Sequence, residues 1–141
     1  MLEEAKGLGL RGVKLHCHVQ AFAVDSEEAL AVFAACDALA LPVLVHAGRE
    51  PKSPAYRVDP YALCGAARVE RVLSTFPKLR VCVPHFGADE IDDYAAMLAR
   101  HEGLFLGTTM LLSGFFRAAP WDVVRGAPER ILYGTDFPNV P

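Results

Sequence analysis

The sequence lacks several features that define whole classes of protein. Its 141 residues contain four cysteines but no C-x-x-C pair, which argues against a disulfide framework or a cysteine zinc site. Basic and acidic side chains number 14 and 17, so the net charge of -3 lacks the excess of one sign that nucleic-acid or membrane-surface binding needs. No apolar run approaches the roughly 20 residues of a membrane span, and the acidic N-terminus is unlike a signal peptide. We therefore expect a cytoplasmic protein that binds neither nucleic acid nor membranes.

The sequence also has no glycine-rich strand-to-helix turn, which argues against a phosphate-binding flavodoxin-like domain. Instead, short β-branched runs alternate with longer stretches that carry apolar residues at helical spacing. The runs predict strands over residues 12–16, 42–46, 79–85, 104–109 and 130–136. Strands that alternate with helices require parallel pairing and right-handed crossovers, so the predicted fold class is α/β.

The predicted helices have recognisable ends. Asp25 is predicted to cap the first, with Glu28 reaching back to it. Asp59 is predicted to cap a second helix, which has proline at its first position and ends at Pro77. Further helices are predicted over residues 91–98 and 120–124.

Four of the five predicted strands end near a side chain that binds metals or moves protons. These side chains are His16, with His18 just beyond it, then His46, His85 and Asp136. In parallel α/β folds the carboxyl ends of the strands meet at one face, where sites form. Neutral imidazoles and a carboxylate suit zinc-type ions, and a metal lowers the pKa of bound water to about 7. The pattern predicts a metal-dependent hydrolase or lyase, although a single histidine at a strand end is more often structural.

Several blocks of sequence resemble the amidohydrolase superfamily, in particular the branch that includes aminocarboxymuconate-semialdehyde decarboxylase. The blocks are Lys14-Leu15-His16 with Gln20, and residues 44–48, 84–87 and 132–138, the last of which reads Leu-Tyr-Gly-Thr-Asp-Phe-Pro. The resemblance runs from about Arg11 to the last residue. It implies a partial TIM (β/α)8 barrel, about strands four to eight, forming one truncated metal-dependent hydrolase domain over residues 1–141. Because a complete barrel takes about 250 residues, the sequence is expected to be incomplete.

The resemblance also implies a set of site residues. His46 matches a metal-binding histidine of the fifth barrel strand, and Asp136 matches an aspartate of the eighth strand that ligates the metal and deprotonates or orients its water. His85 matches a sixth-strand histidine that is a proton shuttle in some members and a ligand in others. The implied cofactor is a divalent metal ion, with zinc preferred, held by His46, His85 and Asp136. Two of these ligands, His85 and Asp136, are also expected to be catalytic.

One motif of the superfamily has no match in the expected place. Its first strand ends in His-x-His, and nothing in residues 1–10 resembles it. His16-Cys17-His18 has that spelling, but only 28 residues separate His18 from His46, where the family has three strand–helix units. We therefore interpret His16 as a substrate contact rather than a ligand.

Two cations are candidate substrate contacts beside His16. Lys14 occupies the place of a lysine that some two-metal members carboxylate, and we interpret it as facing substrate. Arg49 lies in the long loop of residues 48–57 and offers a cation to an anionic substrate, although a solvated surface loop is an equal alternative.

The expected function is hydrolysis of a small carboxylate, lactone or amide by metal-activated water. Decarboxylation by the same family is the alternative, with a small-molecule substrate in either case. Because the His-x-His strand is missing, enzymatic activity of this chain is left open, and a non-catalytic fragment that self-associates over open strand edges is a further alternative. A mean hydropathy of +0.23 and the surface left uncovered by missing strands favour aggregation or a homo-oligomer.

Overall fold

The fold is built on a five-stranded sheet in which each strand pairs in parallel with the next one along the chain. The computed structural model describes residues 1–48, 58–111 and 120–137. The strands are β1 (Val13–His16), β2 (Val43–His46), β3 (Val81–Val83), β4 (Leu104–Gly107) and β5 (Ile131–Leu132). The α/β class is confirmed, and the sequential strand order is that of a barrel wall.

One helix precedes β1, and the other described helices lie between successive strands. The helices are α1 (Leu2–Gly7), α2 (Cys17–Gln20), α3 (Glu27–Ala38), α4 (Pro60–Cys64), α5 (Ala66–Thr75), α6 (Ile91–Leu98) and α7 (Trp121–Gly126), with 3-10 turns at Pro84–Gly87 and Pro128–Arg130. The short helices α1 and α2 were not predicted. Within the described part of the chain, none of the helices has both the length and the apolar character to cross a membrane.

The two faces of the sheet differ in burial. On one face, alternate residues such as Val43 and Val45 are fully buried in a core shared with α3, α5 and α6. On the other face, Leu44, Cys82 and Phe105 are only half-buried. Part of this second face forms an open cavity of about 230 Å³, lined by Pro42, Arg80, Cys82, Phe105 and Leu132. This one-sided packing is what a segment of barrel wall requires, because the second face belongs to the barrel interior.

The prediction that Asp25 caps α3 was wrong. Ser26 is the N-cap, and its hydroxyl accepts a hydrogen bond from the Ala29 N–H at 3.3 Å. Asp25 instead pairs with Arg68 and Arg71 of α5. A carboxylate with a 7% exposed side chain is more strongly stabilised by two guanidinium partners than by one backbone donor.

The helix predicted from Asp59 to Pro77 is two helices. It begins as predicted, because the Asp59 carboxylate accepts from the Tyr61 N–H at 3.1 Å. At Gly65 the backbone is extended (φ −60°, ψ 157°), which ends α4. The α5 helix then starts at Ala66, whose N–H donates to the Glu90 carboxylate at 3.1 and 3.2 Å.

All five strands are shorter than predicted, and in two of them this changes where the polar residues lie. β3 ends at Val83, because Pro84 begins a 3-10 turn that carries His85. β5 ends at Leu132, so Asp136 lies beyond the strand. The positions of both side chains are therefore set by loop structure rather than by the strand itself.

Candidate functional site

Two histidines end neighbouring strands at the same level. His16 is the last residue of β1, His46 is the last residue of β2, and the register pairs them directly. Adjacent strands lie about 4.8 Å apart, so paired side chains on one face touch. The two imidazoles stack with their centroids 3.9 Å apart and their planes 8° from parallel. The sheet thus holds two imidazoles side by side at its carboxyl edge.

His18 joins this pair from the single turn of α2. The Gln20 side-chain oxygen accepts a hydrogen bond from the His16 N–H at 2.7 Å, which closes the turn, and Ala21 ends it in the left-handed conformation. The His18 ring is 2% exposed and meets the rings of His16 and His46 edge-on, at centroid distances of 5.8 and 5.3 Å. One ligand atom of each of the three side chains lies within 4.8 Å of the other two.

The donor set of this three-histidine group fits a divalent metal ion. Neutral imidazole is a preferred ligand of zinc and similar ions, and three imidazoles make a common protein ligand set for zinc. A metal-binding histidine commonly engages its other ring nitrogen with an outer partner. His18 has such a partner, because its Nε2 lies 2.7 Å from the buried Cys64 sulfur.

His85 lies next to the group, with its ring 5.0 Å from that of His46. The side chain is 3% exposed, and its Nδ1 lies 2.9 Å from the carbonyl oxygen of Thr109. Because a carbonyl only accepts hydrogen bonds, Nδ1 must carry the proton, and Nε2 carries the lone pair. His85 is therefore held as the tautomer whose Nε2 accepts a proton or binds a metal.

The turn that carries His85 has a strained backbone. His85, Phe86 and Ala88 all have φ between 52° and 57°, a region that side-chain-bearing residues rarely adopt. Such strain persists only where the surroundings impose it, and it concentrates at functional sites. Packing imposes it here, because a Cβ on Gly87 would overlap the Tyr94 ring and one on Gly48 would lie 2.3 Å from the Gly87 carbonyl oxygen.

Asp136 lies in the segment after β5, which is tied to the segment after β4. The Thr108 hydroxyl donates to the Gly134 carbonyl at 3.2 Å and accepts from the Gly134 N–H at 3.1 Å. Asp136 is half-buried and has φ of 65°. Among the described residues, the group within 4.8 Å consists of the three histidines and includes neither Asp136 nor His85.

Of the two cations predicted to contact substrate, the structure describes Lys14 but not Arg49. Lys14 is exposed and two residues before His16 on β1, so both side chains project from the same face of the sheet. Burial raises the pKa of the Cys82 thiol on β3 to about 11, and the Lys14 ammonium opposes that shift. Arg49 lies outside the described residues.

His46 belongs both to the ligand set predicted from sequence and to the three-histidine group. His16, predicted as a substrate contact, lies in the group as well. His18 was set aside because of its short spacing from His46, and the His-x-His spelling was the signal that could have identified it. The ligand set of His46, His85 and Asp136 stays a prediction.

Comparison with known proteins gives both a family and a fold. A family model described as amidohydrolase matches residues 1–141. No curated protein matches the chain. An uncharacterised TIM-barrel protein from Bordetella bronchiseptica has a TM-score of 0.79 and 25% identity, over 99% of this chain and 49% of that one.

Two further solved structures share the fold at lower identity. A dihydroorotase from Campylobacter jejuni has a TM-score of 0.59 and 17% identity, over 96% of this chain and 46% of that one. A 5-carboxyvanillate decarboxylase from Novosphingobium aromaticivorans, complexed with manganese and 4-hydroxy-3-methoxy-5-nitrobenzoic acid, has a TM-score of 0.58 and 17% identity, over 97% and 49% of the two chains. The chain thus spans about half the length of these structures, and the predicted partial TIM barrel is confirmed.

Proposed function

Because this chain belongs to the amidohydrolase family, which is metal-dependent, we propose that it acts as a metal-dependent hydrolase on a small carboxylate, lactone or amide. The observation that carries the proposal is the meeting of four histidine rings at the carboxyl ends of three neighbouring strands. Packing does not require this arrangement, because buried strand ends favour apolar side chains. The single domain that holds the site would extend over residues 1–141.

His46 is the residue we assign first to a metal ion, and zinc is the ion that its surroundings favour. His46 contacts the rings of His16, His18 and His85, so any ion it binds has further imidazoles in reach. Imidazole-rich sites favour zinc over magnesium, calcium or manganese. When bound, such an ion would supply Lewis acidity that polarises a carbonyl group and lowers the pKa of its water to about 7.

His85 is suited to move a proton at its Nε2 atom. Its Nδ1–H donates to the Thr109 carbonyl, so the lone pair of the ring lies on Nε2. The side chain is almost fully buried, and the left-handed turn fixes the ring. We assign to Nε2 the transfer of a proton from the attacking water to the leaving group.

Asp136 is assigned to orient the attacking water by accepting a hydrogen bond from it, while the proton that leaves the water passes to His85 Nε2. The backbone that carries Asp136 supports this assignment. The Thr108 hydroxyl fixes the Gly134 backbone two residues before Asp136, and the neighbouring Thr109 carbonyl fixes His85. The two groups are therefore anchored to consecutive residues, which would keep their separation constant through the reaction.

The cations assigned to substrate binding are Lys14 and Arg49. Lys14 is exposed on the face of the sheet that carries His16 and His46. An ammonium at that position attracts the carboxylate of an anionic substrate and stabilises negative charge that develops on a carbonyl oxygen. Arg49, three positions after the last residue of β2 in the sequence, would add a second cation.

The test is a turnover assay on the purified chain with one equivalent of zinc. The substrates are lactones, amides and esters that carry a carboxylate, together with a β-keto acid and an aromatic carboxylic acid for release of carbon dioxide. We expect metal-dependent hydrolysis, reduced about 10²- to 10⁴-fold in His85→Asn, which removes the proton carrier, and in Asp136→Asn, which removes the carboxylate that orients the water.

His101→Asn is the matched control for these variants. His101 lies at the amino end of β4, opposite the site, where its Nε2 pairs with Glu70 at 3.2 Å. It should retain full activity. A folded, zinc-loaded chain without hydrolytic turnover would overturn the proposal, as would wild-type turnover in His85→Asn. Carbon dioxide release without hydrolysis would assign the chain to the decarboxylase alternative.

A further inference from the structure

We infer that His16, His18 and His46 form a divalent-metal site built by the first two strands alone, with Cys64 as the residue that positions His18. The inference deepens the proposed function and rests on it through His46, the ligand that both share. It differs from the ligand set predicted from sequence, because it includes His18 and does not need Asp136 or His85. It also replaces the substrate-contacting role predicted for His16.

The spacing of the three side chains is close to what a metal requires. Their ligand atoms lie within 4.8 Å of one another. Nitrogen ligands of a tetrahedral zinc ion lie about 3.3 Å apart, because Zn–N distances are about 2.0–2.1 Å. Metal binding therefore requires rotations about the side-chain torsions that bring the nitrogens to this spacing and turn the stacked rings of His16 and His46 so that their in-plane lone pairs converge. Three ligands leave the fourth position of a tetrahedral ion for water or substrate.

The backbone holds each of the three in place by a different device. The parallel register fixes His16 beside His46. The α2 turn, closed by the Gln20 side chain, brings His18 back over the same strand ends. In a continuous strand, residues i and i+2 would lie on one face because of the two-residue repeat. Here His16 ends the strand and His18 lies on a helical turn, so the turn brings the two side chains together.

Cys64 determines which nitrogen of His18 binds the metal. The Cys64 sulfur lies 2.7 Å from His18 Nε2. The carbonyl oxygens of Pro60 and Gly48 lie 3.4 and 3.7 Å from the same sulfur as acceptors for the thiol proton. We assign the thiol proton to these carbonyls, so that the sulfur accepts from the His18 Nε2–H. With the proton on Nε2, Nδ1 of His18 carries the lone pair and is the ligand atom. Cys64 and His18 are both almost completely buried, so water does not replace either partner easily.

The experiment measures zinc affinity by competition with a chromophoric chelator, and cobalt(II) coordination by visible absorption, on the metal-free chain. We expect one equivalent of metal, bound with a tetrahedral cobalt spectrum, and tighter binding of zinc than of manganese. His16→Asn and His18→Asn should each weaken zinc binding about 100-fold or more. Asp136→Asn should bind zinc as tightly as the wild type. Far-UV circular dichroism of each variant shows that the fold is retained.

Variants at Cys64 test the positioning role separately from ligation. Cys64→Ala should weaken zinc binding about 10- to 100-fold, as loss of an outer hydrogen-bond partner does. Cys64→Ser, which keeps an acceptor for the His18 Nε2–H, should lose less. Cys36→Ala is the matched control, because Cys36 is another fully buried cysteine but lies in α3, away from the histidines; it should bind zinc normally.

The outcomes separate this inference from the proposed function. If His18→Asn binds zinc normally while Asp136→Asn loses it, the three-histidine site is refuted and the proposed hydrolase stands with the ligand set predicted from sequence. If the wild-type chain binds no metal, both fail. If His18→Asn loses affinity but Cys64→Ala does not, the ligands stand and the positioning role of Cys64 is refuted.

Discussion

Replacing Gly48 with alanine should destabilise the fold more than the same change at Gly9, although the two glycines have nearly the same φ angle. The φ angle is +97° at Gly48 and +96° at Gly9, and a left-handed backbone costs a residue with a side chain about 1–2 kcal/mol. A methyl group on Gly9 meets nothing within 4 Å. One on Gly48 lies 2.3–2.6 Å from three backbone atoms of Gly87.

The extra cost at Gly48 comes from this overlap. The added Cβ has to lie at least 3.0 Å from the Gly87 backbone. Gly48 and Gly87 are both buried, so two packed segments have to move apart. Overpacking of this kind costs typically about 1–3 kcal/mol. Adding the two costs gives about 1–2 kcal/mol for Gly9→Ala and about 2–5 kcal/mol for Gly48→Ala.

The assay is equilibrium unfolding in urea, followed by far-UV circular dichroism, with the three proteins measured side by side. Equal losses in the free energy of unfolding at the two glycines would refute the reasoning, since they would show that the loops after β2 and β3 are not in contact. Gly48→Ala should also lower turnover, because Gly87 lies two residues after His85 in the same strained turn. Gly9→Ala should leave turnover unchanged.

Four further predictions concern charge, thiol reactivity, burial and association. Glu70→Gln should lower the free energy of unfolding in urea by at most about 1 kcal/mol at pH 7, because the hydrogen bond from Arg100 chiefly holds the pKa of this carboxyl below its ordinary value. This stabilisation is present above the unfolded-state pKa. The difference in stability between wild type and variant should therefore shrink below about pH 4 and vanish below the folded-state pKa. Cys82, with its pKa of about 11, should be alkylated about 100-fold more slowly at pH 8 than a thiol of ordinary pKa, as mass spectrometry of labelled peptides would show. Tyr94→Phe should increase the free energy of unfolding by about 1 kcal/mol or more and so raise the melting temperature, because among the described residues the buried Tyr94 hydroxyl finds no hydrogen-bond partner. A lower melting temperature would contradict this. Sedimentation should show concentration-dependent self-association through the open sheet face near Leu132, which is 43% exposed, and a monodisperse monomer would count against it.

Sequence patterns predicted the strands well because local chemistry determines them. The run from Pro42 to His46 is apolar until its last residue, and β2 begins and ends within it. The Asp59-Pro60 start of α4 was also predicted, since a cap and a first-turn proline act within a few residues. The Asp25 cap failed for the opposite reason, because its partner Arg68 is 43 positions away and only the folded chain brings it close.

The site was predicted in part for the same reason. His46 was singled out because it ends a predicted strand and because it matches a metal-binding histidine in the family that the sequence resembles. The position of His18 depends on the α2 turn, which is closed by a single hydrogen bond from the His16 N–H to the Gln20 side chain. Hydrophobic periodicity does not predict a turn of this kind. The conformation of His85 depends on a left-handed backbone that glycine usually occupies, imposed here by packing around Gly87.

The order of the strands in the sheet is also the order in which a ribosome makes them. From β2 to β5, each strand pairs with the one synthesised just before it, so none of these described strands waits for a distant partner. The three-histidine group belongs to the first such pair and is complete once His46 has been made. A metal ion bound there would join β1 to β2 across α3, so its binding free energy would stabilise a folding nucleus while the rest of the wall is still being synthesised.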